Sequence, residues 1–326
     1  MTTQSWFDPD RVYKNLDDYR AFIGKPYTAL CADMQARFDA EFQADERQAE
    51  WSNLRDEVHG HLTSIAAFQA DADSVADEIA DGFFQTFYLE QAVLTMSAGR
   101  EDFFGEIVEV RGLERVQEII AEDGGVQFAL PHYGPHFLVH LLLCKLGLRC
   151  FVGGALTDDF GSGHLDWGAT LGIDTGEVEA VDFTASFGRA MASIVNSGKS
   201  LTLYPEYTRS SRLGRHTTEF LGQTVQLPTG VARLAKMSNR RLVGVRLHRV
   251  ASFRYVLEFG PFLSVGLEEG QLDVPEAAAQ IMTWVEGMVL DNPEQWEGWR
   301  YYRIMKANGF QVLLRNLAAQ RRRMAS

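Results

Sequence analysis

Two short stretches, each closing an apolar run, constrain this chain more than anything else in it. The first is Ala129-Leu130-Pro131-His132-Tyr133-Gly134-Pro135-His136-Phe137. The second, about 70 residues further on, is Leu201-Thr202-Leu203-Tyr204-Pro205-Glu206-Tyr207-Thr208-Arg209-Ser210. Each opens on a run that reads as a buried strand and turns polar around a proline, where such a strand would emerge from a sheet. In open α/β sheets the sites are built at the carboxyl ends of strands. The two loops are therefore expected to face one pocket. The first brings histidine, the second a carboxylate and a guanidinium.

The surrounding pattern agrees with a sheet of this kind. Residues 1–104 read as helical. Leu16 to Phe22, Tyr27 to Phe42, Ala49 to Phe68 and Asp71 to Phe87 carry apolar positions near a 3.6-residue spacing, with an alanine- and aspartate-rich turn over Ala66 to Ala76. From residue 105 the pattern changes to strands alternating with helices. Ile107 to Val110, Val126 to Leu130, Leu148 to Gly153, Leu201 to Tyr204, Leu242 to Val250 and Arg254 to Phe259 read as strands. Leu113 to Glu122, His136 to Leu146, Phe183 to Ser197 and Pro275 to Asp291 read as helices, and Val225 to Met237 starts as strand or loop and becomes one. The expectation is an α/β fold with an N-terminal helical region over 1–104, an α/β unit over 105–326, and the two packed as one compact body.

Composition excludes several partners. The 326 residues carry a net charge of −13, which argues against nucleic acid and against an anionic membrane. Cys31, Cys144 and Cys150 show neither CxxC pairing nor zinc spacing; Cys144 and Cys150, in apolar surroundings, read as small buried hydrophobes, and the odd number without a disulfide framework points to a reducing, cytoplasmic setting. Met1 to Asp10 lacks an apolar signal core, and the longest apolar candidate, Phe137 to Leu148, is broken by His140 and Lys145. Nothing approaches the roughly 20 apolar residues that span a bilayer, so a soluble protein with no stable membrane anchor is expected.

The candidate chemistry sits in the two loops. His132 follows a strand and precedes Gly134-Pro135, which force a turn, so backbone geometry would hold it while leaving it reachable. Imidazole titrates near neutrality and suits a general base, while the competing reading is a histidine that caps the next helix. His136 and His140 continue a spacing of four, but Pro135 opposes a helix running through 132 and no carboxylate stands between the histidines as in HExxH. No metal and no cofactor is expected. Glu206 and Arg209 lie three apart, and Arg212, Arg215 and His216 follow, a density of guanidinium that matches phosphate or sulfate oxygens if it is more than a solvated loop. Asp158 and Asp159, in a glycine-containing loop, would line the pocket or form a turn. His59-Gly60-His61 reads as helix surface. Ser197-Gly198-Lys199-Ser200 ends like a P-loop but lacks its first glycine and leads into a strand, which excludes nucleotide hydrolysis.

These residues resemble a family. Val126 to Phe137 is similar to the first block of the lysophospholipid and lipid A acyltransferase superfamily, in which a histidine, four residues and an acid form the catalytic pair. Tyr204-Pro205-Glu206-Tyr207-Thr208-Arg209-Ser210 is similar to its third block, FPEGTRS. Phe220-Leu221-Gly222, Gly230 to Lys236 and Leu242-Val243-Gly244-Val245 resemble the approach to the fourth. Asn292-Pro293-Glu294-Gln295-Trp296 to Arg303 resembles the C-terminal PEQ-aromatic segment of the lipid A branch. The resemblance covers about residues 105–305 in order and implies a central mixed sheet flanked by helices.

Departures from the family bear on function. Phe137 stands where the acid is expected, five positions after His132, so His136 or Glu206 would have to take its place. Tyr207 replaces the glycine of the third block, and Asp158 and Asp159 stand where the second block carries an arginine for the acceptor phosphate. The branch's N-terminal membrane helix has no counterpart. The resemblance implies acyl transfer from a CoA or carrier-protein thioester to a small soluble acceptor, with His132, Glu206 and His136 as catalytic residues and Tyr207, Arg209, Arg212, Arg215, Asp158 and Asp159 contacting substrate. A second reading is a repurposed enzyme of natural-product biosynthesis. There a carrier-bound amine would close an aziridine by displacing sulfate, with other enzymes of the pathway as partners. A third is a non-catalytic scaffold.

Overall fold

The computed structural model describes residues 24–43, 45–148, 150–153, 180–181, 193–194, 197, 200–206, 215–263 and 272–306. The expected helix at Leu16 to Phe22 and nearly all of that at Phe183 to Ser197 lie outside these residues.

Four helical segments come first: α1 (Tyr27–Phe42), α2 (Asp45–Leu62), α3 (Ala72–Phe84) and α4 (Gln91–Ser97). A π-helical turn at Gln85–Glu90 joins α3 to α4, so the helix expected to end near Phe87 continues to Ser97. The apolar stripe extends through it, since Phe83, Phe84, Phe87, Leu89, Val93 and Leu94 are all buried. Aspartates of α3 meet α2 on the outside: Arg55 donates to Asp73 and Asp77, and Trp51 donates to Asp81. His61 departs from the expected surface position. It is buried with its ring edge against Tyr302, and burial holds its imidazole down at about 4. Cys144, expected to be buried, is only half-buried, whereas Cys31 is buried.

The α/β part comprises β1 (Val108–Arg111), α5 (Leu113–Asp123), β2 (Gln127–Ala129), α6 (Val139–Lys145), β3 (Cys150–Gly153), β4 (Ala180–Val181) and β5 (Ser200–Leu203). A hairpin of β6 (Arg215–Phe220) and β7 (Gln223–Pro228) follows. Then come α7 (Gly230–Ser238), β8 (Leu242–Ala251), β9 (Arg254–Leu263), α8 (Val274–Asp291) and, after two 3₁₀ turns, α9 (Tyr302–Met305). The sheet has the order β1-β9-β8-β2-β5-β3-β4, with β8 and β9 antiparallel and every other neighbour parallel. It is a mixed sheet, flanked by helices, with the helical region before it.

The two strands that carry the site are central. β2 lies between β8 and β5, with Ala129 level with Gly244 on one side and Leu203 on the other. Val126 to Leu130 and Ser200 to Leu203 are buried throughout, which is why both read as continuous apolar runs. From β2 the chain moves outward to β3, and from β5 it crosses the other way to β8. Right-handed crossovers leaving in opposite directions put their helices on opposite faces and open a crevice at the carboxyl ends between them. His132 and Glu206 stand at that crevice, each three residues beyond its strand.

The β6–β7 hairpin departs from the sequence pattern, in which only the stretch from Val225 reads as strand or loop before a helix. Its turn is Leu221-Gly222, with both residues at positive φ (52° and 68°). Such turns normally announce themselves with Asn-Gly or Asp-Gly. Here a tertiary contact holds the leucine in place, its N–H donating to Glu286 of α8.

Candidate active site

The loop after β2 is shaped by its glycine. Gly134 has φ +60°, and a Cβ there would lie 2.0 Å from the carbonyl oxygen of Leu247 on β8. Only glycine lets the loop approach the neighbouring strand this closely. The Gly134 N–H then donates to the Gln295 carbonyl (2.8 Å), and Glu297 N–H donates to the His132 carbonyl (2.9 Å). Tyr133 pairs with Trp296 between these two bonds in a single antiparallel bridge. The Gln295 side chain is itself clamped across the backbone of Arg249, accepting from its N–H at 2.8 Å and donating to its carbonyl at 3.2 Å. The segment Pro293–Glu297 thus acts as a short splint along the histidine loop. Trp296 and Trp299 are buried within the fold.

His132 meets Glu206 twice. Its backbone N–H donates to Glu206 Oε1 (2.8 Å) and its ring Nδ1 lies 3.2 Å from Oε2. Trp296 Nε1–H is a third donor to Oε1, at 3.4 Å. Three donors around one buried carboxylate make Glu206 the acceptor, so His132 carries its proton on Nδ1 and presents Nε2 as the basic nitrogen. Among the described residues Nε2 has no hydrogen-bond partner. The His132 side chain retains 13% of its exposure whereas Glu206 has none, so the reactive group faces outward and its orienting group lies behind it.

His136, one turn on, is fully buried between aromatic rings. Phe137 packs at 4.1 Å between ring centroids, and the Phe87 edge is 5.9 Å away. Both its nitrogens are used: Nδ1 lies 2.9 Å from the Tyr204 hydroxyl and Nε2 lies 2.8 Å from Glu297 Oε2. Burial pushes this imidazole down, against the pull of Glu297. Burial alone would raise Glu297, but the hydrogen bond from His136 overrides it and holds the carboxyl at about 2. The consistent state is a neutral His136 donating from Nε2 to an ionised Glu297 and accepting from Tyr204 on Nδ1. Tyr204 in turn stacks on His132, with centroids 4.0 Å apart and planes at 20°.

The structure thus brings His132, Glu206 and His136 together. Tyr204, Trp296 and Glu297 join them without having been singled out. Tyr204 had a signal, since a hydroxyl stands where the third block is written with Phe. Glu297 had none, lying far along the chain in a segment marked only by its resemblance to the PEQ-aromatic segment. Tyr207, Arg209, Arg212, Asp158 and Asp159 lie outside the described residues, and Arg215 opens β6 in register with Pro228. His140, expected near His136, is buried on α6 with its imidazole pushed down to about 3 by burial. Among the described residues no three His, Cys, Asp or Glu side chains are grouped to hold a metal. A separate cavity of about 440 Å³ lined by Arg115, Glu122, Asn239 and Arg241 opens beside Leu242, at the amino end of β8. That is the opposite end of the sheet from His132.

A histidine oriented by a carboxylate at the carboxyl ends of two central strands is equipped for proton abstraction and acyl-group chemistry. The chain belongs to the bacterial lipid A biosynthesis acyltransferase family, whose model matches residues 73–299. That places it among acyltransferase-like enzymes. Among solved structures it is similar to the 1-acyl-sn-glycerophosphate (LPA) acyltransferase PlsC from Thermotoga maritima. That match has 11% identity over 85% of this chain and 97% of the other, with a TM-score of 0.36. No curated protein matches the sequence. No helix among the described residues is long and apolar enough to cross a membrane.

Proposed function

We propose that this chain transfers an acyl group from a CoA or carrier-protein thioester to a small, soluble hydroxyl or amine acceptor, with His132 as the general base. The observation that carries this reading is the placement of Glu206 on His132 Nδ1. It supplies from the third block the acid that the first block lacks at Phe137. Nε2 takes the proton of the acceptor, the acceptor attacks the thioester carbonyl, and the imidazolium returns the proton to the departing thiolate. Arg209, Arg212 and Arg215, with Tyr207, Asp158 and Asp159, are proposed to bind the substrates. The family's named product is a lipid, but the aspartates in place of a phosphate-binding arginine favour a non-phospholipid acceptor and a cytoplasmic setting.

The test is free thiol release from a panel of acyl-CoA and acyl-carrier thioesters, wild type against His132→Ala. A drop of about 10²- to 10⁴-fold is expected for loss of a general base. An unchanged rate removes His132 from the mechanism.

A second reading rests on the arginine-rich stretch Arg209 to Arg215, which suits an anionic leaving group. The same base would then deprotonate an amine that displaces sulfate within one carrier-bound substrate. This is a cyclisation resembling the aziridine-forming step of azinomycin biosynthesis, with another pathway enzyme as partner. Silence across the thioester panel together with sulfate release from amino-sulfate substrates would favour it. The intact His132–Glu206 pair speaks against a scaffold without chemistry.

A further inference from the structure

His132 and Glu206 leave half of the cluster without a task. The remainder is Tyr204, His136 and Glu297, and its geometry is ordered: hydroxyl to Nδ1 at 2.9 Å, Nε2 to carboxylate at 2.8 Å. A hydroxyl bonded to an imidazole that a carboxylate holds from the far side is the arrangement that activates an oxygen for proton transfer or attack. Burial grades in the useful direction. His136 is 0% and Glu297 8% exposed, and only Tyr204 reaches the half-exposed zone, its ring lying on that of His132. The apolar rings of Phe87 and Phe137 pack against His136, so its charge-bearing interactions run through its two nitrogens. Glu297 is anchored independently of His136, its Oε1 lying 3.7 Å from Arg300 Nη1, so its Oε2 is held in place to accept from His136 Nε2.

We propose that Tyr204 is a second proton acceptor of this site, backed by a buried His136–Glu297 pair. The Tyr204 oxygen takes a proton from the bound group while its own proton passes to His136 Nδ1, and the imidazolium so formed is held by Glu297. The bound group's bond to its proton breaks as a new O–H forms on Tyr204, and the original Tyr204 O–H breaks as an N–H forms on His136, so the net proton is stored on His136 until Tyr204 returns it. Tyr204 is the residue that touches the reacting group; His136 and Glu297 position and charge it. The step's place in a reaction rests on the acyl-transfer reading, but the nucleophilicity of Tyr204 does not.

The test uses that difference. The full chain is treated with benzenesulfonyl fluoride and labelled tyrosines are quantified by peptide mass spectrometry. The Tyr204 oxygen attacks sulfur, the S–F bond breaks, fluoride leaves, and His136 takes the proton. Tyr204 is expected to label at least about 10-fold faster than Tyr27, which is similarly half-buried but donates to a backbone carbonyl. Glu297→Gln should lower Tyr204 labelling about 10-fold. A role in packing alone gives the opposite sign, because loosening the pocket exposes Tyr204 and speeds labelling. Equal rates for Tyr204 and Tyr27, or undiminished labelling in Glu297→Gln, overturns the proposal. Should Glu297→Gln fail to fold, ¹⁵N shifts of the His136 ring in the wild type decide instead. A proton on Nε2 is expected, and a proton on Nδ1 overturns the relay. Labelled Tyr204 with a silent thioester panel would defeat the acyl-transfer reading alone.

Discussion

Glu206 and His132 are 74 residues apart in sequence, yet the carboxylate of one accepts both the backbone N–H (2.8 Å) and the ring Nδ1 (3.2 Å) of the other. One oxygen fixes the loop and the other fixes the tautomer, so the position of the base and its protonation pattern have a common cause.

Glu206→Gln keeps an oxygen for the backbone N–H and for Trp296 but presents a neutral group to the ring. It loses the charge that stabilises the imidazolium. Thioester turnover is expected to fall about 10²- to 10⁴-fold with little change in fold. Combined with His132→Ala it should cost little more than either alone, because the two act as a unit. Thiol-release rates of the single and double variants check this, and additive losses would separate the pair.

Phe137→Asp restores the acid at the family's position, five residues after His132. No gain in turnover is expected, because Glu206 already occupies Nδ1 and a third carboxylate would join Glu206 and Glu297. The Phe137 ring also covers His136 at 4.1 Å, and its removal should cost about 2 kcal/mol. Thiol release and urea denaturation measure the two effects. A rise in turnover would mean that Glu206 is not the working partner.

Gly134→Ala places a methyl group 2.0 Å from the Leu247 carbonyl oxygen at φ +60°. A loss of about 3 kcal/mol is expected in chemical denaturation. Variants that still fold should turn over more slowly, since the displaced loop carries His132. Wild-type stability with normal turnover would show that the loop has room to move.

Stability should fall on acidification from about pH 6.5. Burial lowers His61 to about 4, His140 to about 3 and His248 to about 4. Between those values and the ordinary 6.5 the unfolded chain binds more protons, so their contribution is present above pH 6.5 and lost as pH drops. Glu297, held at about 2, adds a further loss below about pH 4.5. Glu90 opposes them. Burial raises it to about 7 despite Arg249, so it favours the folded state at low pH and loses that contribution as pH rises from 4.5 to 7. His136, also pushed down by burial, acts in the same direction, so four histidines outweigh one glutamate and the net slope near pH 5 to 6 has their sign, at about 1.4 kcal/mol per pH unit for each proton in excess. Urea midpoints across pH 4.5 to 8 test the sign; a flat profile would mean that these histidines are accessible to solvent.

Much of the architecture could be read along the chain. The helix over Tyr27–Phe42 and the strand between Val126 and Leu130 show local periodicity and bounding residues, and both stand where expected, the strand a residue shorter at each end. The β6–β7 hairpin escaped because Leu221 at positive φ is held by Glu286 rather than by local preference. The helix from Ala72 to Ser97 ran longer than expected because its π turn shifts the apolar stripe instead of ending it.

By itself the sequence determined the central strands, the two loops that matter, and His132 and Glu206 as candidate site residues. Those depend on spacing, turn residues and runs of apolar side chains, which act over a few positions. Only the tertiary structure decided that Glu206 rather than His136 takes His132 Nδ1. It alone joined His136 to Tyr204 and to Glu297, the latter 161 residues away. Such pairings are selected by which strands lie side by side and by the cost of burying an unpaired charge, and neither leaves a local mark in the chain.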